Sequence, residues 1–384
     1  MKTLAVFTGS DLRAYGGGEK DVPGWAGKIN DFEVALCSPL YKSHVRLTMQ
    51  QVEDAIPRQV HIKYFRAIRL THLRELPLLS VSGNKTLIGI RNSQAVYSMH
   101  QGILFNTILL FTCKFFNVKF VLGIHLAIPL EDKQIESTTV KRLLNRFFVF
   151  ERNFLIRHTR YIWVQNTRDT RNLELSGLRG KIYNIPPFID VGNPSLATEA
   201  NDSTFICLFV GRLSVRQKGL DLLGEIITTT LRENSDLRVV ILGSERDGES
   251  IVTRLTILFP DNVVWKGFVG EDELIEEYKR PSFFIFPSRG ENFGISLVEV
   301  QAHGLAAVAF RVMGVEDVVY NGAKGDLVKP FDVSAFSKSI LKYYSVWKSD
   351  RDTYLSIKRD IATNTRKRFD VSKMLNDLEK MFSG

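Results

Sequence analysis

Cysteine is scarce in this chain: Cys37, Cys113 and Cys207 lie far apart, are odd in number and form no CxxC pair. That argues against a disulfide framework and a cysteine-based metal site, and it fits a reducing, cytoplasmic setting. Long apolar runs are also missing. The best, from Gly102 to Cys113, spans 12 residues before Lys114 and Lys119 intervene, against about 20 for a bilayer crossing. A core helix followed by a buried strand is expected there. The opening "MKTLAVFTGSDLRAYGGG" turns polar and glycine-rich after a short apolar run, so it reads as a first β-strand and not as a secretory signal. No HxxxH, G-x-S-x-G or P-loop occurs. The only Asp-x-Asp, Asp350 and Asp352, falls in a charged C-terminal helix pattern far from any strand end, a poor place for a metal.

What is present suits a globular protein. Of 384 residues, 44% are hydrophobic and 24% charged, and single cores stop growing near 250–300 residues or so, which favours two domains. Charge is uneven: residues 1–195 carry 26 Lys+Arg against 15 Asp+Glu, or +11, whereas 196–384 carry 25 against 27, or −2. The whole formal +9 belongs to the first half, which suggests that it faces something anionic: a membrane surface, a phosphorylated acceptor or nucleic acid.

Short apolar runs alternate with helical patterns along both halves. "TLAVFT", "FEVALCS", "AVYSMH", "KFVLGIH" and "YIWVQN" are followed by "FICLFVG", "LRVVILG", "NVVWKGF", "FFIFPS" and "AAVAF". Strands separated by helices argue for parallel sheets built from βαβ units, one Rossmann-like layer per half. The polar run Val191 to Thr204 marks the boundary. The expected domains are 1–192 and 193–384, with the last helix able to pack back on the first.

In "FPSRGENFGISLVEVQAHG" the strand ending at Pro287 and Ser288 leads through a loop with Gly290 and Gly294 into a helix closed by Gly304. Glu291 stands in the loop and Glu299 in the helix, about 10–12 Å apart along the chain's path, a spacing suited to two parts of one extended ligand. Taken alone, such a pair is far more often a solvated loop glutamate and a surface ion pair on a helix. "FVGRLSVRQKGLDLL" ends a strand at Gly211 and presents Arg212 and Lys218 before a helix. Two fixed cations after a strand end suit a diphosphate, whose oxygen gains negative charge as a bond to it breaks.

Together, "VGRLSVRQKGLDLL" and "PSRGENFGISLVEVQAHGLAAVAF" closely resemble the family-four retaining glycosyltransferases, over roughly Phe205 to Val328. The resemblance implies a GT-B fold, α/β with two Rossmann-like domains whose parallel sheets face across an interdomain cleft. The second domain would bind a nucleotide-sugar donor, the first an acceptor. It also implies roles. Glu291 would lie against the transferred sugar, and Glu299 would hold the ribose. Backbone amides of Phe293, Gly294 and Ile295 would reach the sugar and diphosphate. Arg212 and Lys218, after Gly211, would bind the diphosphate, and Gly267 with Phe268 would flank the base. In the first half "YGGGEK" is similar to the family's glycine loop, placing Gly16 and Gly17 at the donor phosphates, and His125 ends a strand where the family often has a histidine facing the sugar.

Two departures stand out. Pro23 and Gly24 interrupt the helix that follows the glycine loop in the family, so that helix is expected to start later or to kink. "NIPPFID" lacks the family's Asn-Gly, so its turn must be built differently. The expected activity is transfer of a sugar to an acceptor hydroxyl with retention, without obligatory metal or cofactor, in glycan, polysaccharide or glycolipid assembly. A nucleotide-sugar epimerase of the same fold and a non-catalytic donor-binding subunit are the alternatives. Partners would be the donor, a glycan or lipid-linked acceptor and an anionic membrane, with nucleic acid not expected. The basic, aromatic segment Lys141 to Trp163 reads either as a membrane-lying element or as a core helix running into a strand.

Overall fold

The computed structural model describes residues 2–8, 12, 17–40, 48–56, 60–69, 77–79, 89–99, 104–124, 139–176, 178, 180–189, 191, 204–244, 247–319 and 325–384. Gly16, His125 and nearly all of the polar run at 191–204 lie outside these residues. The chain forms two units, Met1–Asp190 with Val371–Gly384, and Val191–Asp370.

The first unit carries strands β1 (Lys2–Phe7), β2 (Phe32–Leu40), β3 (Val60–Arg69), β4 (Pro77–Leu79), β5 (Ala95–Met99), β6 (Lys119–Ile124), β7 (Tyr161–Val164) and β8 (Lys181–Asn184). Its helices are α1 (Gly17–Ala26), α2 (Met49–Ala55), α3 (Phe105–Phe115), α4 (Thr139–His158) and α5 (Thr167–Leu175). The sheet order is β4-β3-β2-β1-β5-β6-β7-β8. Every neighbouring pair is parallel except β3 with β4, so this sheet is not wholly parallel as the strand–helix alternation suggests. Side chains alternate along β1: Leu4 and Val6 enter one core, Ala5 and Phe7 the other. Burial on both faces is why its sequence reads as a continuous apolar run.

The second unit carries β9 (Ile206–Val210), β10 (Arg238–Leu242), β11 (Val263–Gly267), β12 (Phe283–Phe286), β13 (Ala306–Phe310) and β14 (Gly325–Val328). Its helices are α6 (Val215–Lys218), α7 (Leu220–Glu233), α8 (Glu249–Leu258), α9 (Glu271–Lys279), α10 (Ile295–Ala302), α11 (Val333–Ser349) and α12 (Arg351–Arg368). The strands run parallel in the order β11-β10-β9-β12-β13-β14. Asp350 of the Asp-x-Asp pair is the N-cap of α12, accepting from the Thr353 amide at 3.0 Å and its hydroxyl at 2.6 Å.

The chain's last helix, α13 (Val371–Ser383), belongs to the first unit. Phe382 stacks on Trp25 at 5.8 Å and meets Phe32 and Tyr97 edge-on, while Trp163 packs on both Trp25 and Tyr97. Lys119 donates to the Met381 carbonyl at the C-terminal end of α13, and the Asn30 amide donates to Glu379 at 3.0 Å.

Helix α1 removes one of the two expected alternatives. It begins at Gly17 and contains Pro23, so it does not start later. It is only ten residues long and ends three residues after the proline. The "IPPF" departure lies against it: a Cβ on Gly24 would sit 2.5 Å from Phe188 Cδ1, so the glycine admits the Phe188 ring. The Trp163 indole donates to the Ile185 carbonyl at 2.8 Å, fixing the backbone just before this turn. The Gly102–Cys113 run is likewise only half a core helix, because α3 keeps Ile108, Phe111 and Phe115 exposed.

Removing a ring from the Trp25–Tyr97–Trp163 cluster leaves a cavity. Phe382→Ala should cost about 3–5 kcal/mol, read as an earlier transition in guanidinium unfolding. An unchanged midpoint would show that α13 does not stabilise the first unit.

Candidate active site

In the second sheet the chain starts at β9, moves outward through β10 to β11, then crosses back to β12 on the other side of β9. The connections leaving β9 and β12 therefore diverge at the carboxyl edge, where open parallel sheets bind ligands. Both quoted motifs sit there.

After β9, the Gly211 amide donates to the Leu242 carbonyl at 3.0 Å, and Arg212 follows in solvent, donating to Gln217 Oε1 at 2.9 Å. Ser214 caps the four-residue α6, which ends at Gly219 with φ +66°. A side chain on Gly219 would collide with the Pro287 carbonyl, so glycine lets the two loops approach at backbone level. Lys218 is thereby carried across to the other loop. Its Nζ lies 2.6 Å from Glu291 Oε1 and 5.2 Å from the centre of the Phe286 ring. The Lys218 and Glu291 side chains are only 13% and 9% exposed. With so little water, removing either partner would strand a buried charge.

The loop carrying Glu291 is tied down on three sides. Arg289 forks onto both oxygens of Asp221 at 2.6 Å, donates to the Val215 carbonyl at 2.6 Å, and its amide donates to the Gln217 carbonyl at 2.9 Å. The guanidinium holds the Asp221 carboxyl below its usual range. The unfolded chain then binds more protons, so this contribution is complete above the ordinary carboxylate range and is lost as acid protonates Asp221. On the third side the Glu291 amide donates to the Met313 carbonyl at 3.1 Å. Gly314, at φ +80°, lies where a Cβ would strike the Glu291 carbonyl.

Gly294, at φ +86°, is the N-cap of α10, which turns the first amides of the helix toward the same edge. The buried Phe293 side chain packs edge-on against Phe369 at 5.7 Å. Its backbone, not its ring, is what this loop offers a ligand. Glu299 lies in the fifth position of α10 and accepts from the Tyr278 hydroxyl at 2.8 Å. Burial first, and the Glu299 charge second, push the Tyr278 phenol well above its ordinary value, keeping it a donor. His303 Nδ1 meets the Glu299 carbonyl at 2.9 Å, and burial lowers its pKa, favouring the neutral ring. The two glutamates thus have separate partners, Lys218 for one and Tyr278 for the other. Gly267, at φ +74°, ends β11 with an exposed Phe268 beyond it on the same sheet edge.

Gly211, Arg212, Lys218, Gly267, Phe268, Glu291, Phe293, Gly294, Ile295 and Glu299 thus share the carboxyl edge of one sheet and the loops and helix that leave it. Gly17 opens α1 in the first unit. Asp221, Arg289 and Tyr278 hold these loops and Glu299 in place, and the sequence pattern left them unassigned. The first two stand inside the quoted motifs, but nothing in a linear pattern pairs residues 68 positions apart.

Arg289→Lys keeps the charge but cannot form the fork. It should speed amide hydrogen exchange across residues 288–294 while strands β9 and β12 stay protected. Unchanged exchange in the loop would show that the fork does not order it.

Residues 204–345 match the sequence model of the glycosyl transferases group 1 family. A capsular polysaccharide biosynthesis glycosyltransferase, CapM of Staphylococcus aureus, is 28% identical over 190 residues, 48% of this chain and 47% of that protein. The chain spans less than half the length of the curated relatives it matches, 45% and 32% for two others. Among solved structures, TarM aligns over 100% of this chain and 99% of its own with TM-score 0.74 and 11% identity. HepE of Anabaena, in complex with UDP and glucose, aligns over 99% of each chain with TM-score 0.71 and 16% identity. The two-sheet architecture is the GT-B fold, and residues 204–345 carry the sequence pattern of the glycosyl transferases group 1 family.

Proposed function

We propose that the protein is a retaining glycosyltransferase that moves a sugar from a nucleotide-sugar donor to an acceptor hydroxyl in polysaccharide, glycan or glycolipid assembly. The observation that carries this reading is the Lys218–Glu291 pair, 2.6 Å long and largely shielded from water at the point where β9 and β12 diverge. A lysine has three donors, so Lys218 can hold Glu291 and a diphosphate oxygen together. Arg212 supplies a second cation from solvent. Glu299, fixed by Tyr278, accepts from the ribose hydroxyls. Glu291 faces the sugar, and the amides at the start of α10 meet the sugar and diphosphate. The complex of HepE with UDP and glucose and the capsular role named for CapM agree with a nucleotide-sugar donor and a glycan product.

In the reaction the bond from the anomeric carbon to the diphosphate oxygen breaks and a bond to the acceptor oxygen forms on the same face. The departing oxygen takes the acceptor's proton. Its growing charge falls on Lys218, Arg212 and the helix amides, so catalysis consists of positioning and electrostatics. These protein cations stand where a divalent ion would otherwise neutralise the leaving group, and no metal is assigned a part.

Arg212→Ala and Lys218→Ala should each lower kcat for nucleoside diphosphate release by about 10²–10³, with a smaller rise in donor KM because the diphosphate is charged before transfer. Water can serve as acceptor in this assay. EDTA should leave most activity. Near-normal kcat in both variants would remove the two cations from the mechanism, and activity lost to EDTA and restored by Mg²⁺ or Mn²⁺ would overturn the metal-free reading.

A further inference from the structure

Outside the site, an unusual surface among the described residues is on the first unit. Along α3 the exposed apolar residues are Leu104, at the N-cap, Ile108, Phe111 and Phe115. Their i, i+4, i+7, i+11 spacing draws one narrow stripe down the outer face. Phe115 is 82% exposed and Phe111 55%. A second stripe lies on α4, where Phe147 and the 68% exposed Phe150 lead into Phe154. The stripes join, since the Phe111 and Phe154 rings are 6.2 Å apart. Monomeric soluble proteins rarely present contiguous apolar surface of this kind without a use for it.

The patch is built firmly. Buried Glu151 of α4 accepts from the Leu104 amide and the Thr107 hydroxyl, each at 2.7 Å, so it caps α3 and locks the two helices side by side. Among the described residues of these two helices, the exposed charges have one sign. Lys114, Arg146, Arg157 and His158 are exposed beside the stripes, and Glu151 is the only carboxylate in either helix.

We propose that this face of α3 and α4 docks on an anionic lipid bilayer, with Phe111, Phe115 and Phe150 entering the boundary between headgroups and acyl chains and the basic residues meeting lipid phosphates. Aromatic side chains over a basic fringe are the composition of an interfacial element. Each basic residue near such a surface adds about fivefold to binding. A second copy of the chain is the poorer occupant, because a twofold contact would set the same exposed basic side chains of the two helices against one another. No helix among the described residues is long and apolar enough to cross the membrane, so this contact would lie on the bilayer. The inference stands apart from the transferase reading, since it concerns where the chain binds and not what it converts.

The test is co-sedimentation of the full chain with phosphatidylcholine vesicles and with vesicles also containing phosphatidylglycerol. Binding should favour the anionic vesicles and weaken at high salt. The triple variant Phe111→Ser, Phe115→Ser, Phe150→Ser should partition about tenfold less or weaker still, at unchanged thermal midpoint. Lys114→Glu with Arg146→Glu, which alters no apolar residue, should weaken binding to anionic vesicles alone. Absence of binding, equal binding to both compositions, or full binding by the triple variant would overturn the proposal. So would a dimer, seen by sedimentation equilibrium and abolished in the triple variant, in a chain that ignores vesicles. Nucleotide affinity measured on the same preparations reports the transferase reading separately.

Discussion

The Lys218–Glu291 ion pair is the interaction on which the second unit's site depends. It joins the connection leaving β9 to the one leaving β12, across the point where strand order reverses. Everything nearby serves its geometry. Gly219 lets the backbones meet, Arg289 and Asp221 clamp the loops, and Gly314 gives the Glu291 carbonyl room. A buried ion pair is weak stabilisation on its own, because desolvation offsets much of the attraction. Under the proposed function, its place at the carboxyl edge is explained by what a largely shielded cation can do for a diphosphate.

The first unit depends on a different constraint, an aromatic cluster completed from the far end of the chain. Trp25, Tyr97 and Trp163 supply three rings and Phe382 the fourth. The two departures from the family pattern meet in the structure: Gly24 in α1 leaves space for Phe188, which stands in the changed turn. Around Gly24 that helix is held by packing where its own propensity is poor, since Pro23 and Gly24 are adjacent weak helix formers.

Much of this was legible before the structure. All ten quoted apolar runs are strands, most of them because strands buried on both faces are written as continuous β-branched and aromatic stretches; the edge strand β11 is the exception. Four strands escaped notice for physical reasons. β3 alternates Val60 and Ile62 with His61 and Lys63 on its exposed side, β4 and β8 are short, and β14 contains Gly325 and Asp326. In the site, Arg212, Lys218, Glu291 and Glu299 could be named because motif and topology place them on one sheet edge. Tyr278 could not. Its partnership with Glu299 joins α9 to α10, and nothing in the spacing of 21 residues announces it. The docking face was half visible: the basic, aromatic α4 drew attention, whereas α3 read as core because its stripe of exposed residues lies beside equally apolar buried ones.

The central claim is that Lys218, shared with Glu291, holds the donor's diphosphate. A double-mutant cycle of Lys218→Met and Glu291→Gln, with affinities for UDP, GDP, ADP, CDP and dTDP measured by titration calorimetry, tests it most directly. For whichever nucleotide binds, Lys218→Met should weaken affinity by about 1.5–3 kcal/mol, Glu291→Gln should leave it equal or tighter, and the two effects should couple by roughly 0.5 kcal/mol or more. Unchanged affinity in a folded Lys218→Met variant, or strict additivity, would contradict the account.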